Sequence, residues 1–147
     1  MQNRRRKPQV LLNDVFALFL IFSLFACSST KIPPQEYKGD VITFGNGGGF
    51  SGIENTIAIH ENGNVFRITD RGTSYEPLST LSSAETQQLF DTVEFLGLIE
   101  MDVNKPDNTY RFIEVKSGKT NKRLVWSSDD ISKELQIFYR ILNKKTQ

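Results

Sequence analysis

The chain contains one histidine and one cysteine, and these two residues limit the chemistry that its side chains could perform. A serine or cysteine hydrolase needs a histidine as its general base, and His60 is the only one in the sequence. His60 ends a predicted strand beside Glu61, where we expect an exposed or half-exposed side chain. A small enzyme that uses His60 is the less favoured alternative. A disulfide framework and a Cys/His zinc site are both excluded, and we expect neither catalytic residues nor a cofactor.

The acidic residues form no convincing catalytic or metal-binding pair. Asp129 and Asp130 precede a predicted helix, where capping and the helix dipole explain them. Asp102 and Asp107 lie in a predicted loop and could join a calcium site, but the EF-hand spacing is absent. We therefore expect solvated loop acids, without a metal site or a glycosidase pair.

The charges separate a basic leader from a slightly acidic remainder. Residues 1–26 carry four basic side chains and one acid, which leaves 14 basic and 16 acidic residues from Cys27 onward. That remainder lacks the electrostatic footprint of a nucleic-acid-binding protein. The leader places Arg4–Lys7 before an apolar run, Val15–Ala26, which is typical of a secretory signal peptide. Twelve helical residues span about 18 Å, short of the roughly 30 Å hydrocarbon layer, so a transmembrane helix is the less favoured alternative.

Leu24-Phe25-Ala26-Cys27 resembles the lipobox of bacterial lipoproteins. The resemblance implies cleavage before Cys27 and acylation of its thiol and new amino group, whereas an ordinary buried thiol is the alternative. Ser28, in place of an acidic residue, implies delivery to the outer membrane of a diderm bacterium. Residues 27–39 then form a polar tether with two prolines that we do not expect to pack. Residues 40–147 form a single domain.

The hydrophobic pattern of that domain predicts the order β-β-β-α-β-β-α. Asn62-Gly63 indicates a hairpin, and Leu78–Ser83 is expected to lead into the first helix. A capping box at Ser82 and Glu85 begins this helix, and Gly97 ends it. The second helix is expected after caps at Ser128, Asp129 and Asp130, with an apolar stripe of Ile131, Leu135, Phe138 and Leu142. The fold class is α+β, with an antiparallel sheet of about four to five strands packed against two helices.

A glycine-rich stretch follows the first predicted strand, which we place at Val41–Phe44. Gly47–Gly49 lacks the lysine and hydroxyl residue of a P-loop, and no helix is predicted after it, so nucleotide binding is not expected. The stretch is either a bulged or flexible turn or a displayed contact loop. Phe50 within it is more readily explained as core than as a displayed contact, because an exposed phenylalanine is costly without a partner. We also expect Trp126 in the core.

The hexapeptide Gly48-Gly49-Phe50-Ser51-Gly52-Ile53 resembles the Gly-Gly-Phe-Ala-Gly-Ile signature of the emfourin family, small protein inhibitors of thermolysin-like (M4) metallopeptidases. The predicted helix at 89–96, the segment Asp107–Tyr110 and the closing helix come in the same order, so the resemblance spans most of Val41–Asn143. Ser51 replaces the alanine of the signature, and those inhibitors generally lack a lipoprotein leader. The resemblance makes Gly48, Gly49, Phe50, Ser51 and Gly52 the candidate partner-binding residues.

These features predict a membrane-anchored envelope lipoprotein that carries a small, non-catalytic binding domain. The family resemblance implies protease inhibition as its activity. The expected partners are membrane lipid, through Cys27, and a protein that is either a peptidase or another envelope component. A structural or assembly lipoprotein without inhibitory activity is the alternative.

Overall fold

The computed structural model describes residues 32–34, 36–49, 52–127 and 131–147, apart from the side chain of Asp70. Several predictions lie outside the described residues: those for the leader at 1–26, for Cys27, Ser28 and the start of the tether, for Phe50 and Ser51, and for Ser128, Asp129 and Asp130.

The described residues form seven strands and two α-helices in the order β-β-β-β-α-β-β-β-α. The strands are β1 (Val41–Gly48), β2 (Asn55–His60), β3 (Asn64–Thr69), β4 (Ser74–Thr80), β5 (Asn104–Lys105), β6 (Thr109–Ser117) and β7 (Thr120–Trp126). The helices are α1 (Ser83–Phe95) and α2 (Lys133–Lys145), and a short 3-10 turn, Asp70–Gly72, joins β3 to β4.

The strands form one sheet in the order β4-β3-β2-β1-β6-β7-β5. Neighbours are antiparallel except β5, which lies parallel to β7. The predicted α+β class is confirmed, but the predicted four to five strands are too few. The sequence pattern missed β4, which contains Pro77, and β5, which is too short to show a periodicity. Leu78, expected to lead into the helix, lies in β4.

The first strand is twice as long as its apolar residues predict. It runs on from Phe44 to Gly48 because it lies in the middle of the sheet, between β2 and β6. Residues as far as Asn46 pair with β2, and residues as far as Gly48 pair with β6. Pairing on both sides therefore overrides the low strand propensity of glycine.

The capping residues of α1 agree with the sequence-based prediction, whereas the start of α2 differs from it. The capping box is confirmed, because the Ser82 hydroxyl accepts from the Glu85 amide and the Glu85 carboxylate accepts from the Ser82 amide. Gly97, with a φ of 62°, ends the first helix as predicted. The second helix starts at Lys133, and its N-cap is Ser132, so Ile131 precedes the helix and is not part of its stripe.

Both helices contribute to one core on one face of the sheet. The buried apolar residues of this core include Ile42, Phe44, Ile59, Val65, Leu89, Val93, Ile113, Val115, Leu124, Trp126, Leu135, Phe138 and Leu142. Trp126 is 1% exposed, which confirms its predicted place in the core. Neither helix of the described residues is long and apolar enough to cross a bilayer.

The outer strands of the sheet are both irregular. Strand β4 carries Pro77, and its pairing with β3 shifts register between Val65 and Phe66. At the other edge, β5 contributes only Asn104 and Lys105. Each edge is therefore a poor template for pairing with a further strand.

The two ends of the sheet differ in the segments that meet there. The N-terminal end contains the start of β1, the end of β2 and the β6–β7 turn. The glycine end contains the end of β1, the start of β2 and the start of β6.

Candidate functional site

Two of the glycines in β1 make room for aromatic rings from the neighbouring strand. Gly45 pairs with Phe112 of β6, and Gly47 pairs with Tyr110. A Cβ added at Gly45 would lie 3.2 Å from the Phe112 ring and 1.9 Å from the Asn55 carbonyl oxygen. A Cβ at Gly47 would lie 3.0 Å from the Tyr110 ring. These glycines are therefore packing positions on the face of the sheet opposite the helices.

A cluster of charges covers the same face. The Arg123 guanidinium lies 3.8 Å from the centre of the Phe112 ring. It donates to the carboxylate of Glu54 and, at 3.2 Å, to that of Glu114. The Tyr110 hydroxyl donates to Glu54 at 2.7 Å. Arg123 thus covers the Phe112 ring and links Glu54, which precedes β2, to Glu114 of β6.

Gly48 at the end of β1, together with Gly49 and Gly52 between β1 and β2, forms what we call the glycine turn, which is attached to the loop before β6. Gly48 has a φ of 98°, and an added Cβ would lie 2.1 Å from the Asn108 carbonyl oxygen. The Gly49 amide donates to that same carbonyl, and Gly49 itself has a φ of 71°. Across the turn, the Gly52 amide donates to the Gly49 carbonyl at 3.3 Å. Left-handed backbone at all three glycines excludes other residues without strain.

The described part of the turn presents one apolar side chain. Ile53 is 58% exposed, and it borders two clefts of about 670 and 510 Å³. The larger cleft is lined by residues from both faces of the sheet, including Thr43, Arg67, Glu114 and Tyr139, so it is an open groove around the glycine end and not an enclosed cavity. This shape suits contact with the surface of another macromolecule better than enclosure of a small ligand.

The prediction for His60 is wrong, because its side chain is fully buried. Its ring stacks on Tyr37, with ring centres 4.1 Å apart, and also contacts Phe66. Neither ring nitrogen has a hydrogen-bond partner within the described residues. Burial, with a smaller contribution from the Lys116 charge, lowers the pKa of His60 to about 4.

The position of His60 also separates it from the glycine turn. It ends β2 at the N-terminal end of the sheet, whereas Asn55 begins that strand at the glycine end. An enzyme that used His60 as a base would need the reacting group beneath the Tyr37 ring.

The acidic residues from the predicted loop are also accounted for by local contacts. Asp102 has a side chain that is 96% exposed, and it lies 3.9 Å from the Lys122 ammonium. The Asp107 carboxylate accepts from the Asn108 amide at 2.7 Å. Within the described residues no group of three or more histidine, cysteine, aspartate or glutamate side chains is placed to hold a metal ion.

The structure brings together three of the five residues that the sequence singled out. Gly48, Gly49 and Gly52 lie in one turn, while Phe50 and Ser51 belong to the same hexapeptide outside the described residues. Sequence reasoning assigned no role at the site to Asn108, which holds the turn. It likewise assigned none to the side chains that cover the adjoining face of the sheet, which are Glu54, Tyr110, Phe112 and Arg123. One signal was available in the sequence: Gly45 and Gly47 alternate along one strand, as Tyr110 and Phe112 do along another.

No protein-family model matches the chain, and no curated protein is similar to it at a significant level. The candidate site is therefore interpreted from its own geometry.

Proposed function

We propose that this chain is a lipid-anchored envelope protein whose domain binds another protein through its glycine turn. The observation that carries the proposal is the attachment of the turn to the loop before β6, where the Gly49 amide donates to the Asn108 carbonyl. Backbone that is already held at Gly49 loses less conformational entropy there when a partner docks. The first partner to test is a thermolysin-like metallopeptidase, which is the partner that the hexapeptide resemblance implies.

The binding mode would be occlusion of the partner's surface. Glycines without side chains let the backbone at Gly48, Gly49 and Gly52 approach a partner closely. Ile53 supplies exposed apolar area next to them. Phe50 is the candidate anchor, since a few large aromatic residues usually dominate the energy of a protein interface.

The anchoring part of the proposal rests on Cys27 at the end of the apolar leader. A thiol accepts the lipid, and each buried CH₂ group contributes about 0.8 kcal/mol, so several acyl chains hold a domain stably where one does not. Labelling of growing cells with radioactive palmitate tests this directly. Label on the protein that is lost in Cys27→Ser supports the anchor, and a mature form that retains residues 1–26 contradicts it.

The binding activity is tested by titrating the protein, purified in mild detergent, against a thermolysin-like peptidase with a small peptide substrate. We expect saturable inhibition. An absence of inhibition at a large molar excess would eliminate the peptidase-inhibitor proposal. An envelope pull-down that then returned a complex without a peptidase would favour the assembly lipoprotein.

Two alanine variants form a matched pair for locating the binding surface. Gly49 and Gly118 have φ values of 71° and 57°, and an added Cβ meets nothing within 4 Å at either position. Both variants therefore introduce similar backbone strain, but only Gly49→Ala changes the glycine turn. We expect Gly49→Ala to weaken binding at least tenfold, with Gly118→Ala close to the unaltered protein. Equal effects of the two variants would place the binding surface elsewhere.

A further inference from the structure

The last residues of the predicted tether pack against the domain, contrary to the sequence-based expectation. The Tyr37 ring covers His60, and the Lys116 ammonium donates to the Tyr37 carbonyl at 3.5 Å. Three residues further on, the Asp40 carboxylate accepts from the Ser117 hydroxyl at 2.7 Å and from the Gly118 amide at 3.3 Å. We refer to residues 36–40 as the strap, because they run across the N-terminal end of the sheet and are held at several points.

A second set of contacts joins the strap to the residue after His60. The Glu61 amide donates to the Asp40 carbonyl at 3.0 Å, and the Asp40 amide donates to the Glu61 carboxylate at 3.2 Å. Burial and the nearby Glu61 charge raise the pKa of Tyr37, which keeps its phenol neutral at any ordinary pH. Tyr37 therefore covers His60 with an uncharged ring, and the hydrogen bonds at Tyr37 and Asp40 hold the strap to the sheet.

The charged groups around His60 do not favour a second positive charge there. Val41 pairs with His60 on one side and with Lys116 on the other, so the ammonium lies in the same row of the sheet. The carboxylates at this end belong to Asp40 and Glu61, and both accept hydrogen bonds from backbone amides, whereas neither accepts one from a His60 ring nitrogen. Phe66, the remaining neighbour, provides only an apolar ring.

We propose that Tyr37 and His60 form an acid-opened latch, which holds the strap on the sheet at neutral pH and releases it when His60 takes up a proton. A protonated imidazole carries two N–H donors, and burying an ion without partners is far more costly than burying the neutral ring. Displacement of Tyr37 would uncover the face of the imidazole on which its ring is stacked. The latch does not depend on the proposed binding activity.

Release of the strap would change how far the domain can move from its point of attachment. Five residues freed from the sheet add up to about 17 Å of extended chain. In a lipid-anchored protein, acidification would therefore lengthen the tether without altering the glycine turn at the opposite end.

The latch is tested first by an NMR titration of the full-length protein in detergent micelles, in which the only histidine gives the only imidazole signals. We expect His60 to titrate far below its ordinary range, and to return toward that range in Tyr37→Ala, where the cover is gone. Tyr37→Phe is the matched control, since it keeps the ring stack and should keep the low value. An ordinary titration in the unaltered protein, or a low value that persists in Tyr37→Ala, would overturn the proposal.

Hydrogen exchange then reports whether the strap itself opens. Protection of the Asp40 and Glu61 amides, corrected for the intrinsic effect of pH, should fall roughly 70-fold between pH 7.5 and pH 4.5. The Val125 amide, which donates to Val103 away from the strap, is the internal reference. In His60→Phe, which preserves an aromatic ring but cannot take up a proton, the protection should not change with pH. The same loss in His60→Phe would contradict the latch.

Discussion

Gly45 of β1 and Phe112 of β6 form a cross-strand pair in which the ring lies over the position of the missing side chain. The pair explains why a strand at the centre of the sheet contains glycine, a residue that strands usually exclude. It also links the glycine-rich stretch to packing, since Phe112 is itself fully buried beneath Arg123.

Substitution of Gly45 by alanine should destabilise the domain. The new Cβ would lie 1.9 Å from the Asn55 carbonyl oxygen, a backbone atom that cannot move without disturbing β2. Overpacking of this kind costs about 1–3 kcal/mol, measurable as a lower urea midpoint with an unchanged slope. The unaltered protein provides the comparison, because Gly45 has no positive φ and any loss of stability in Gly45→Ala comes from the contacts of the new methyl group. A urea midpoint for Gly45→Ala at or above that of the unaltered protein would contradict this account of the pair.

Removal of the Arg123 charge should lower the stability of the domain, because Arg123 holds two carboxylates together on the face of the sheet that carries Phe112. In Arg123→Met the carboxylates of Glu54 and Glu114 lose their shared cation, although a long side chain still covers Phe112. The three charged side chains are between 27% and 35% exposed, so solvent screening limits the loss to about 1 kcal/mol. Arg123→Lys should recover part of it. Unfolding curves at low and high salt give the measurement, and a loss that is identical at both would argue against an electrostatic origin.

His60 should make the domain less stable in mild acid. Its pKa falls from 6.5 to about 4 on folding. The stability gained by keeping this imidazole neutral is therefore complete above pH 6.5 and is lost as the pH falls to about 4. The slope over that interval is about 1.4 kcal/mol for each pH unit. Urea unfolding at pH 7 and pH 5 measures the change, and His60→Phe should remove the histidine contribution. Equal pH dependence in the two proteins would show that other groups cause it.

Glu85 should add a second acid-sensitive contribution at lower pH. Hydrogen bonds from Lys145 and then from Ser82 lower its pKa to about 2. The contribution of the ionised carboxylate to the stability of the domain is therefore complete above the ordinary glutamate pKa of 4.5 and disappears as the pH falls through about 2. Glu85→Gln should flatten the stability profile below pH 4.5 and leave the profile above pH 5 unchanged. Thermal unfolding across this range provides the test, with Glu94→Gln on the same helix as the control.

Local sequence signals predicted the local structure well. The Asn62-Gly63 hairpin joins β2 to β3, with Gly63 at a φ of 88°, and the capping box and Gly97 define α1. These features depend on residues within a few positions of one another, so their physical causes are visible in a short stretch of sequence.

Distant contacts account for what the sequence did not reveal. Burial of His60 depends on Tyr37, a residue that precedes β1 and has a polar, proline-containing neighbourhood. The Gly49 amide is bonded to Asn108, and the Glu54 carboxylate to Arg123, and both partners lie more than fifty positions further along the chain. Pairing partners of this kind are fixed by the order of strands in the sheet, which alternation alone does not determine.

The interrupted edges of the sheet have a consequence for the lipid anchor that we propose. Molecules confined to two dimensions meet far more often than the same number in free solution, and exposed strand edges are where such collisions turn into aggregates. Pro77 breaks one border, and the other ends in a strand of two residues. Within the described residues, neither edge gives a second copy a long, uninterrupted row of backbone donors and acceptors with which to pair, so crowding should leave the domains separate.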